Sequence, residues 1–333
     1  MIAPSTLIVI LVGAALLFDF LNGFLDSSNI VATMISSRAM RPRVALLVSA
    51  VAHFSAPFLF GVAVAKTIGH DVVASEAVTI PVILAAVLSA IVWNIITWRF
   101  GIPSSSSHAL IGGLVGAVSI GFGLQNIQLG GLSKVLMALF VSPLLGLTVG
   151  YVTMKLVLFL ARSASPRIST LFKRLQWFTS LGLALSNGTN GAQKTMGIIT
   201  MGLVATGYLS SFEVPWWVIF ASATAIALGS ASGGWRLIRT LGGKFYKIRP
   251  IHGFTSQLSS AAVIMAAALL GGPVSTTQVV SCSILGAGSA ERLSKVRWGV
   301  AGNIAIAWVV TIPASAAMAA LLYHPVLWLT ELQ

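Results

Sequence analysis

Long apolar segments follow one another along almost the whole chain, and short polar turns or charged loops separate them. In the first half these segments are 4–38, 44–65, 80–98, 103–122 and 134–160. The second half repeats the series from Gln176 onward, with later segments at 214–232, 253–270, 273–290 and 298–322. About 20 apolar residues span a bilayer as a helix, and no stretch shows the roughly ten-residue alternation of a membrane barrel strand. The pattern predicts an all-α integral membrane protein.

Two related polar motifs interrupt this apolar pattern, NGFLDSSN at 22–29 and NGTNGAQK at 187–194. A second pair follows in the same order, GIPSSSSH at 101–108 and GGPVSTTQ at 271–278. Hydrocarbon penalises such polar groups heavily, so each motif is expected to line a site enclosed by protein. The excess length of the first segment predicts a helix break in the first motif, with a matching break in the second. This arrangement is typical of a transporter built from two related repeats, with broken helices and half-helices at the membrane midplane.

Helix packing is the simpler interpretation of the two motifs. Small residues let membrane helices approach each other closely, and each motif contains Gly with Ser or Thr. Packing alone does not require the charged side chains of Asp26 and Lys194 at membrane depth, where they are costly. The sequence therefore favours a functional site over a purely structural role.

The composition agrees with a membrane protein: 56% of the residues are hydrophobic, 8% are charged and the mean hydropathy is +0.94. The net charge of +13 does not indicate nucleic-acid binding, because the basic residues form no basic domain interleaved with exposed aromatics. Cys282 is the single cysteine and offers neither a disulfide nor a metal-ligand spacing. Segment 4–18 lacks a preceding basic region and a cleavage site, so we interpret it as the first membrane segment rather than a signal peptide.

The basic residues cluster between segments, which predicts cytoplasmic loops by the positive-inside rule. The four clusters are Arg38, Arg41 and Arg43; Arg162, Arg167, Lys173 and Arg174; Arg236, Arg239, Lys244, Lys247 and Arg249; and Arg292, Lys295 and Arg297. The connections predicted to face outward are Asp71 with Glu76, 125–133, Glu213 and the tail with Glu331. Each half then crosses the membrane about five times, at about 20 residues per crossing. An odd number inverts the second half, so 1–165 and 166–333 are predicted to be inverted-topology repeats of one transmembrane domain, with both termini extracytoplasmic.

The first motif offers oxygen ligands for a small cation. Asn22, Asp26 and Asn29 would share one face of a helical segment. A carboxylate together with amide oxygens is the hard-oxygen set that such a cation prefers. Asp19 lies one turn earlier and is expected to be a cation ligand or proton carrier, with structural pairing to Lys194 as the alternative.

Donors for an anion are concentrated in the second motif and in the two hydroxyl-rich turns. The candidate anion ligands are Asn190, Gln193, Lys194, Ser105, Ser106, Ser107, Ser275, Thr276 and Thr277. Pro103 and Pro273 favour a helix start, so each turn is expected to begin a helix whose free N–H groups face an oxyanion. Ordinary Ser/Thr capping is the alternative role of the hydroxyls. Because the turn is duplicated in both halves, the anion site is the favoured interpretation.

In these motifs and turns the chain resembles the inorganic phosphate transporter (PiT) family of secondary carriers. The resemblance rests on DFLNGFLDSSNIVATMISSRAM at 19–40, LSNGTNGAQKTMGIIT at 185–200 and the two hydroxyl turns, and it spans essentially the whole chain. It implies symport of inorganic phosphate with Na⁺ or H⁺, with the substrate held between the turns and the two signature loops. The family's loop residues correspond here to Asn22, Asp26, Asn29, Asn190, Gln193 and Lys194.

Four positions depart from the family pattern. Leu25 stands where the family usually has His before the first signature Asp. In the second signature, Asn187 replaces the usual His and Gly191 replaces the usual Asp, and Gln278 replaces a His after the second turn. By its resemblance to the family, the chain therefore lacks, at Gly191, a carboxylate that is expected to bind a cation. Both Na⁺ and H⁺ are candidate coupling ions.

We therefore expect a phosphate symporter of the cell membrane that works by alternating access and needs no cofactor beyond its coupling ion. A carrier of sulfate or a related oxyanion with the same fold is the alternative. A passive anion channel is less expected, because it would show continuous pore-lining polarity rather than two discrete motifs. An enzyme is not expected, because no His, Asp or Cys constellation at ligand spacing appears. The expected partners are the oxyanion, the coupling cation and the lipid bilayer, with a homodimer left open and no nucleic acid.

Overall fold

The computed structural model of the protein describes residues 4–70 and 72–331. Asp71, which was predicted to face outward, and the termini at Met1 and Gln333 lie outside the described residues. Within the two described ranges the chain is helical, apart from turns and one isolated antiparallel β-bridge between Val73 and Ile127. The prediction of an all-α fold is confirmed.

The helices of the two halves follow each other in the same order and with similar lengths. The first half contains α1 (Pro4–Ser36), α2 (Pro42–Phe60), α3 (Ala63–His70), α4 (Ile80–Phe100), α5 (Ser106–Gly121) and α6 (Leu129–Leu160). The second half contains α7 (Ile168–Ala205), α8 (Trp216–Ser232), α9 (Trp235–Gly243), α10 (Pro250–Leu269), α11 (Thr276–Glu291) and α12 (Trp298–Glu331). The predicted repeat boundary at 165–166 lies in the connection between α6 and α7.

Among the described residues, five helices are long and apolar enough to cross a membrane, namely α1, α2, α4, α6 and α12. The pair α8 and α9 would add a sixth span, although it is bent by 68° at the break between the two helices. Helices α5 and α11 have 16 residues each, fewer than the roughly 20 that span a bilayer, as expected of half-helices. The protein is therefore a multi-pass membrane protein. The number of crossings and the side on which the termini lie stay predictions.

Helices α1 and α7 run without interruption through the two polar motifs, so the predicted breaks at these motifs are wrong. A continuous helix satisfies its own backbone N–H and C=O groups, which an unwound turn would leave unpaired in an apolar region. The motif glycines serve close helix packing instead. A Cβ atom on Gly23 would lie 2.1 Å from the carbonyl oxygen of Ile226, and one on Gly188 would lie 2.8 Å from the Cα of His53. Side chains rather than backbone carbonyls therefore supply the polar groups of the motifs.

The polar motifs lie between two clusters of buried apolar residues. Along α1, Leu11 and Phe18 belong to one cluster, and Ile30, beyond the motif, belongs to the other. Along α7 the order is reversed, because Leu183 belongs to the second cluster and Met196 to the first. The two helices are therefore antiparallel and carry their polar residues at the same level. Antiparallel counterparts agree with the predicted inverted repeat, which itself stays a prediction.

The two half-helices begin at this polar level. Helix α5 packs along α12 and its counterpart α11 packs along α6. The Ser107 hydroxyl at the start of α5 donates to the carbonyl oxygen of Val274, just before α11, at 3.1 Å. The starts of α5 and α11 therefore meet inside the protein, beside the motifs of α1 and α7.

Candidate functional site

Asp26 joins the first motif to the hydroxyl turn of the second half. The Thr276 hydroxyl donates to its two carboxylate oxygens at 3.2 and 3.1 Å. Asn29 Nδ2 lies 2.8 Å from Asp26 Oδ1 and 3.1 Å from Thr277 Oγ1. Asn29 Oδ1 is buried and has no hydrogen-bond partner in the described part of the chain. The cluster thus brings together carboxylate, hydroxyl and amide oxygens, the ligand types that a small hard cation prefers.

A second cluster forms where α1 meets the start of α5. The Ser106 hydroxyl donates to Asn22 Oδ1 at 2.5 Å. Gly191 on α7 lies beside this pair, because a Cβ atom there would be 3.2 Å from Asn22 Nδ2. When the two motifs are aligned on their Asn-Gly pairs, Gly191 corresponds to Asp26. The second half therefore has no carboxylate where the first half has one, and the two halves of the site are chemically unequal.

Lys194 and Asp19 are fully buried beside these clusters. Neither the Lys194 ammonium nor the Asp19 carboxylate has a hydrogen-bond partner among residues 4–70 and 72–331, although Asp19 lies near the Thr195 hydroxyl. Lys194 interacts through space with both Asp26 and Asp19. When all three side chains are ionised, two carboxylates and one ammonium leave one net negative charge in the buried layer.

Ser105 and Ser275 cap the two half-helices. The Ser105 hydroxyl accepts the backbone N–H of His108 at 3.2 Å, and the Ser275 hydroxyl accepts that of Gln278 at 3.4 Å. The other N–H groups of each first turn have no acceptor within the helix, and the helix dipole makes this end positive. His108 Nδ1 and Gln278 Nε2 lie 3.5 Å apart, so the two helix starts face each other. Two opposed helix N-termini favour an anion between them.

Asn190 and Gln193 of the second motif have different partners. Asn190 Nδ2 donates to the carbonyl oxygen of Gly272 at 3.1 Å, in the turn before α11. Gln193 uses both amide atoms on the α2–α3 connection, where Nε2 donates to the Gly61 carbonyl and Oε1 accepts the Val64 N–H, both at 2.6 Å. Asn190 thus lies beside the hydroxyl turn of the second half, whereas the amide of Gln193 is engaged away from it.

The predicted site residues form one buried layer, in which each side chain is at most 8% exposed. The layer is therefore closed toward both faces of the protein in this conformation. Two further side chains belong to it. Asn187 is buried with neither amide atom bonded within the described ranges, and Thr195 lies beside Asp19. Their positions at the start of the second motif and directly after Lys194 are the sequence signals that point to them.

Known proteins match the chain over most of its length. The model of the phosphate transporter family matches residues 22–319. A probable low-affinity inorganic phosphate transporter of Rhizobium meliloti (strain 1021) is 46% identical over 319 residues, which cover 95% of this chain and 96% of that protein. A protein of the same description from Bacillus subtilis (strain 168) is 43% identical over 323 residues, with coverage of 95% and 96%.

A solved structure shares the fold. The protein described as the sodium-dependent phosphate transporter superposes with a TM-score of 0.87 at 23% identity, covering 98% of this chain and 99% of its own. At this identity the likeness concerns the fold alone. The family and the relatives are transporters, so this protein is a transporter rather than an enzyme. Its sequence, from the first polar motif to the last helix, places it in the phosphate transporter family.

Proposed function

We propose that this protein is a symporter that carries inorganic phosphate across the cell membrane together with Na⁺ or H⁺ by alternating access. Its family and the relatives from R. meliloti and B. subtilis support phosphate as the substrate. The sodium dependence named for the structural neighbour makes Na⁺ one candidate coupling ion. Protonation of a buried carboxylate is the other route to coupling.

The observation that carries the proposal is the charge of the buried layer. Asp19, Asp26 and Lys194 together hold one net negative charge when ionised, and all three are buried. A phosphate dianion would add two more negative charges in a region shielded from water, where unpaired charge is costly. A cation that enters with the phosphate lowers this charge. Coupled binding is thus the simplest way for this layer to accept a dianion.

Different parts of the buried layer bind the two transported ions. In the proposal, the phosphate lies between the starts of α5 and α11, where free backbone N–H groups donate to its oxygens. The Ser106 and Ser107 hydroxyls donate to it as well once they turn away from Asn22 and the Val274 carbonyl, their partners in this conformation. Lys194 supplies the positive charge on the α7 side. The cation lies at the oxygen cluster of Asp26 and Asn29, and it is a transported substrate rather than a resident cofactor. In proton coupling, a buried carboxylate carries the proton instead.

A carboxylate beside the anion favours phosphate over sulfate, which is the alternative substrate. Hydrogen phosphate carries a P–O–H donor that needs an acceptor, whereas sulfate carries none at neutral pH. The Asp26 carboxylate is such an acceptor and repels an anion that has no hydrogen to donate. Sulfate should therefore compete poorly with phosphate.

Uptake of radiolabelled phosphate into proteoliposomes tests this function. Na⁺ and pH gradients are imposed separately, and unlabelled sulfate is added as a competitor. We expect phosphate uptake that one of the two gradients stimulates and that a large excess of sulfate leaves mostly intact. Uptake no greater than that of empty vesicles contradicts transport, and inhibition by sulfate at concentrations equal to those of phosphate favours the oxyanion alternative.

A further inference from the structure

Gln193 bonds the connection between α2 and α3 and the first turn of α3; we call residues 61–64, which include both, the α2–α3 elbow. The Gln193 side chain is fully buried. Its Nε2 donates to the carbonyl oxygen of Gly61 and its Oε1 accepts the N–H of Val64, both at 2.6 Å. One N–H of Nε2 and one lone pair of Oε1 are thus bonded to backbone groups of the elbow. These two bonds fix the orientation of the amide and leave Gln193 a single N–H for any other acceptor.

The elbow depends on these two bonds. Helix α2 ends at Phe60 and α3 begins at Ala63, so the Gly61 carbonyl and the Val64 N–H belong to helix ends, which lack intrahelical partners. Gly61 has a φ of 76°, a conformation that favours glycine. Loss of the Gln193 amide would leave both backbone groups unpaired, so opening of the elbow would become more favourable.

The elbow leads to the hydroxyl turn of the other half. Helix α3 follows the elbow and packs against Gly271, since a Cβ atom there would lie 3.3 Å from Thr67 Oγ1 and 3.6 Å from the Ala63 carbonyl oxygen. Gly271 begins the turn that leads to Thr276 and Thr277, whose hydroxyls bond Asp26. Helix α7 also packs directly against α3 at Gly197, four residues after Gln193. A continuous set of contacts therefore connects Gln193 with the cation cluster of Asp26 and Asn29.

A related contact exists in the opposite half. The Ser27 hydroxyl of the first motif accepts the N–H of Gly234 at 3.0 Å, in the break between α8 and α9. Helix α9 then contacts the turn before α5, because the Thr240 hydroxyl donates to the Gly101 carbonyl oxygen at 3.0 Å. Each motif thus bonds a helix break of the other half, and that break contacts the hydroxyl turn of the motif's own half. Gln193 makes two hydrogen bonds to the α2–α3 elbow, whereas Ser27 makes one to the break between α8 and α9.

We propose that Gln193 is a positioning residue that keeps the α2–α3 elbow closed, and with it the hydroxyl turn at 275–277, rather than a ligand of the transported anion. The role of Gln193 in the elbow is independent of the proposed symport function; only its effect on transport rests on that function. When the elbow opens, the hydroxyl turn at 275–277, which forms one side of the buried layer, is no longer held in place. Gln193 therefore controls the rate of the conformational cycle and has little effect on phosphate affinity.

Thiol labelling of the full-length protein tests the elbow directly. Cys282 is replaced by Ser, and Val64→Cys places the single thiol in the elbow, where Val64 is fully buried. Gln193→Met keeps the side-chain length but removes both hydrogen bonds. It should raise the rate of labelling by a membrane-permeant maleimide at least about tenfold, because the elbow then holds unpaired backbone groups. The dissociation constant for radiolabelled phosphate should change less than about threefold, because a residue outside the anion's contacts contributes little to affinity.

Gln176 provides the matched control on the same helix. It is also fully buried, its Nε2 donates to the Pro250 carbonyl at 3.0 Å and its Oε1 accepts the Ser37 hydroxyl at 2.8 Å. Gln176→Met removes two comparable bonds away from the elbow and should leave labelling at position 64 unchanged. Gly61→Ala strains the elbow without altering Gln193, since its φ is 76° and nothing lies within 4 Å of the added Cβ. It should increase labelling, and it keeps the test informative if Gln193→Met does not fold.

The outcomes separate this proposal from the proposed function. Unchanged labelling in Gln193→Met overturns the role of Gln193 in the elbow, whether or not Gly61→Ala raises the labelling rate. A loss of phosphate affinity of about tenfold or more in Gln193→Met, with unchanged labelling, also overturns it and makes Gln193 an anion ligand. Faster labelling supports the elbow role even if proteoliposomes show no phosphate uptake, in which case only the transport function fails.

Discussion

The Thr276 hydroxyl lies 3.1 and 3.2 Å from the two carboxylate oxygens of Asp26, although 250 residues separate these side chains in the chain. Asp26 lies within the continuous helix α1, and Thr276 begins the half-helix α11. Their contact joins the two halves of the protein at a buried carboxylate. Substitutions in either half are therefore expected to affect one shared site.

Asp26→Asn removes the negative charge and keeps an acceptor for the Thr276 hydroxyl. We expect phosphate uptake to lose its dependence on the imposed cation gradient, and its rate to fall at least about tenfold, or about 1.4 kcal/mol. Proteoliposome uptake with and without each gradient measures the effect. Glu213→Gln, which removes an exposed carboxylate before α8, should leave the gradient dependence intact. Normal ion dependence in Asp26→Asn would remove Asp26 from the coupling role.

Lys194→Met removes the buried ammonium and preserves much of the side-chain volume. We expect the dissociation constant for phosphate to rise by about 10- to 100-fold, because a hydrogen bond to a charged group contributes about 1.5–3 kcal/mol. Equilibrium binding of radiolabelled phosphate to detergent-solubilised protein measures this change. Lys173→Met, near the start of the same helix, is the control. If Lys194→Met binds phosphate normally, the ammonium serves only to balance Asp19 and Asp26.

Gly191→Asp places a second carboxylate at the position that corresponds to Asp26. The added Cβ would lie 2.8 Å from Ile226 Cδ1 and 3.2 Å from Asn22 Nδ2, so a rotation of the flexible Ile226 side chain accommodates it. The extra buried charge should require a further cation, and uptake should depend more steeply on cation concentration. Gly191→Asn is the uncharged control of similar shape. An equal steepness in Gly191→Asp and Gly191→Asn argues against a cation site at this position.

Gly23→Ala tests the packing role of the first motif. Its Cβ would lie 2.1 Å from the backbone oxygen of Ile226, whereas nothing lies within 4 Å of a Cβ on Gly13 in the same helix. We expect Gly23→Ala to destabilise the protein by about 1–3 kcal/mol through overpacking. Gly13→Ala should be neutral or stabilising by up to about 1 kcal/mol, because Ala favours helix. Equal melting temperatures of the two variants in detergent would contradict the close contact of α1 with α8.

Glu291 at the end of α11 binds three groups outside the buried layer. His252 Nε2 and Lys295 Nζ each donate to its Oε2 at 2.7 Å, and Arg249 donates to its Oε1. The Arg249 N–H donates to His252 Nδ1 at 3.0 Å, which fixes a neutral ring with its hydrogen on Nε2. Burial lowers the pKa of His252 to about 4. Partial burial raises the pKa of Glu291, but hydrogen bonds from Lys295 and His252 outweigh it and lower that pKa to about 2.

These pKa shifts predict acid sensitivity. Between pH 6.5, the ordinary pKa of His, and about 4, the unfolded chain takes up a proton at His252 that the folded protein does not, so stability falls as the pH falls. Below about pH 4.5, the ordinary pKa of Glu, the unfolded chain also takes up a proton at Glu291 that the folded protein does not, so stability falls further as the pH falls. Melting temperatures of the protein and of His252→Gln, compared at pH 7, 5.5 and 4, measure this. A parallel decline in both proteins would exclude His252 as a source of the sensitivity.

The fold class and the half-helices could be predicted from the sequence because both depend on local signals. Long apolar runs require helices in a membrane, and the Pro-Ser and Pro-Val-Ser turns mark the starts of α5 and α11. The breaks at the two motifs could not be excluded in the same way. A Gly-rich polar motif suits an unwound turn as well as close helix packing. The choice depends on α8 and α2, which pack against Gly23 and Gly188.

The candidate site shows the same division between local and tertiary information. The motif spacing places Asp26 and Asn29 on one helix face, and the structure adds the hydroxyls of Thr276 and Thr277 from the distant half. The contacts of Gln193 could not be predicted, because they depend on where α2 ends. Its side chain lies in the motif but bonds the α2–α3 elbow.

Concentrative uptake tests cation coupling most directly. Proteoliposomes are prepared with equal labelled phosphate concentrations inside and outside, and an inward Na⁺ or proton gradient is then imposed. We expect internal phosphate to rise above the external concentration under one of these gradients, and Asp26→Asn to abolish the rise. Phosphate that stays equal on both sides under every imposed gradient, in proteoliposomes that exchange it readily, would contradict symport.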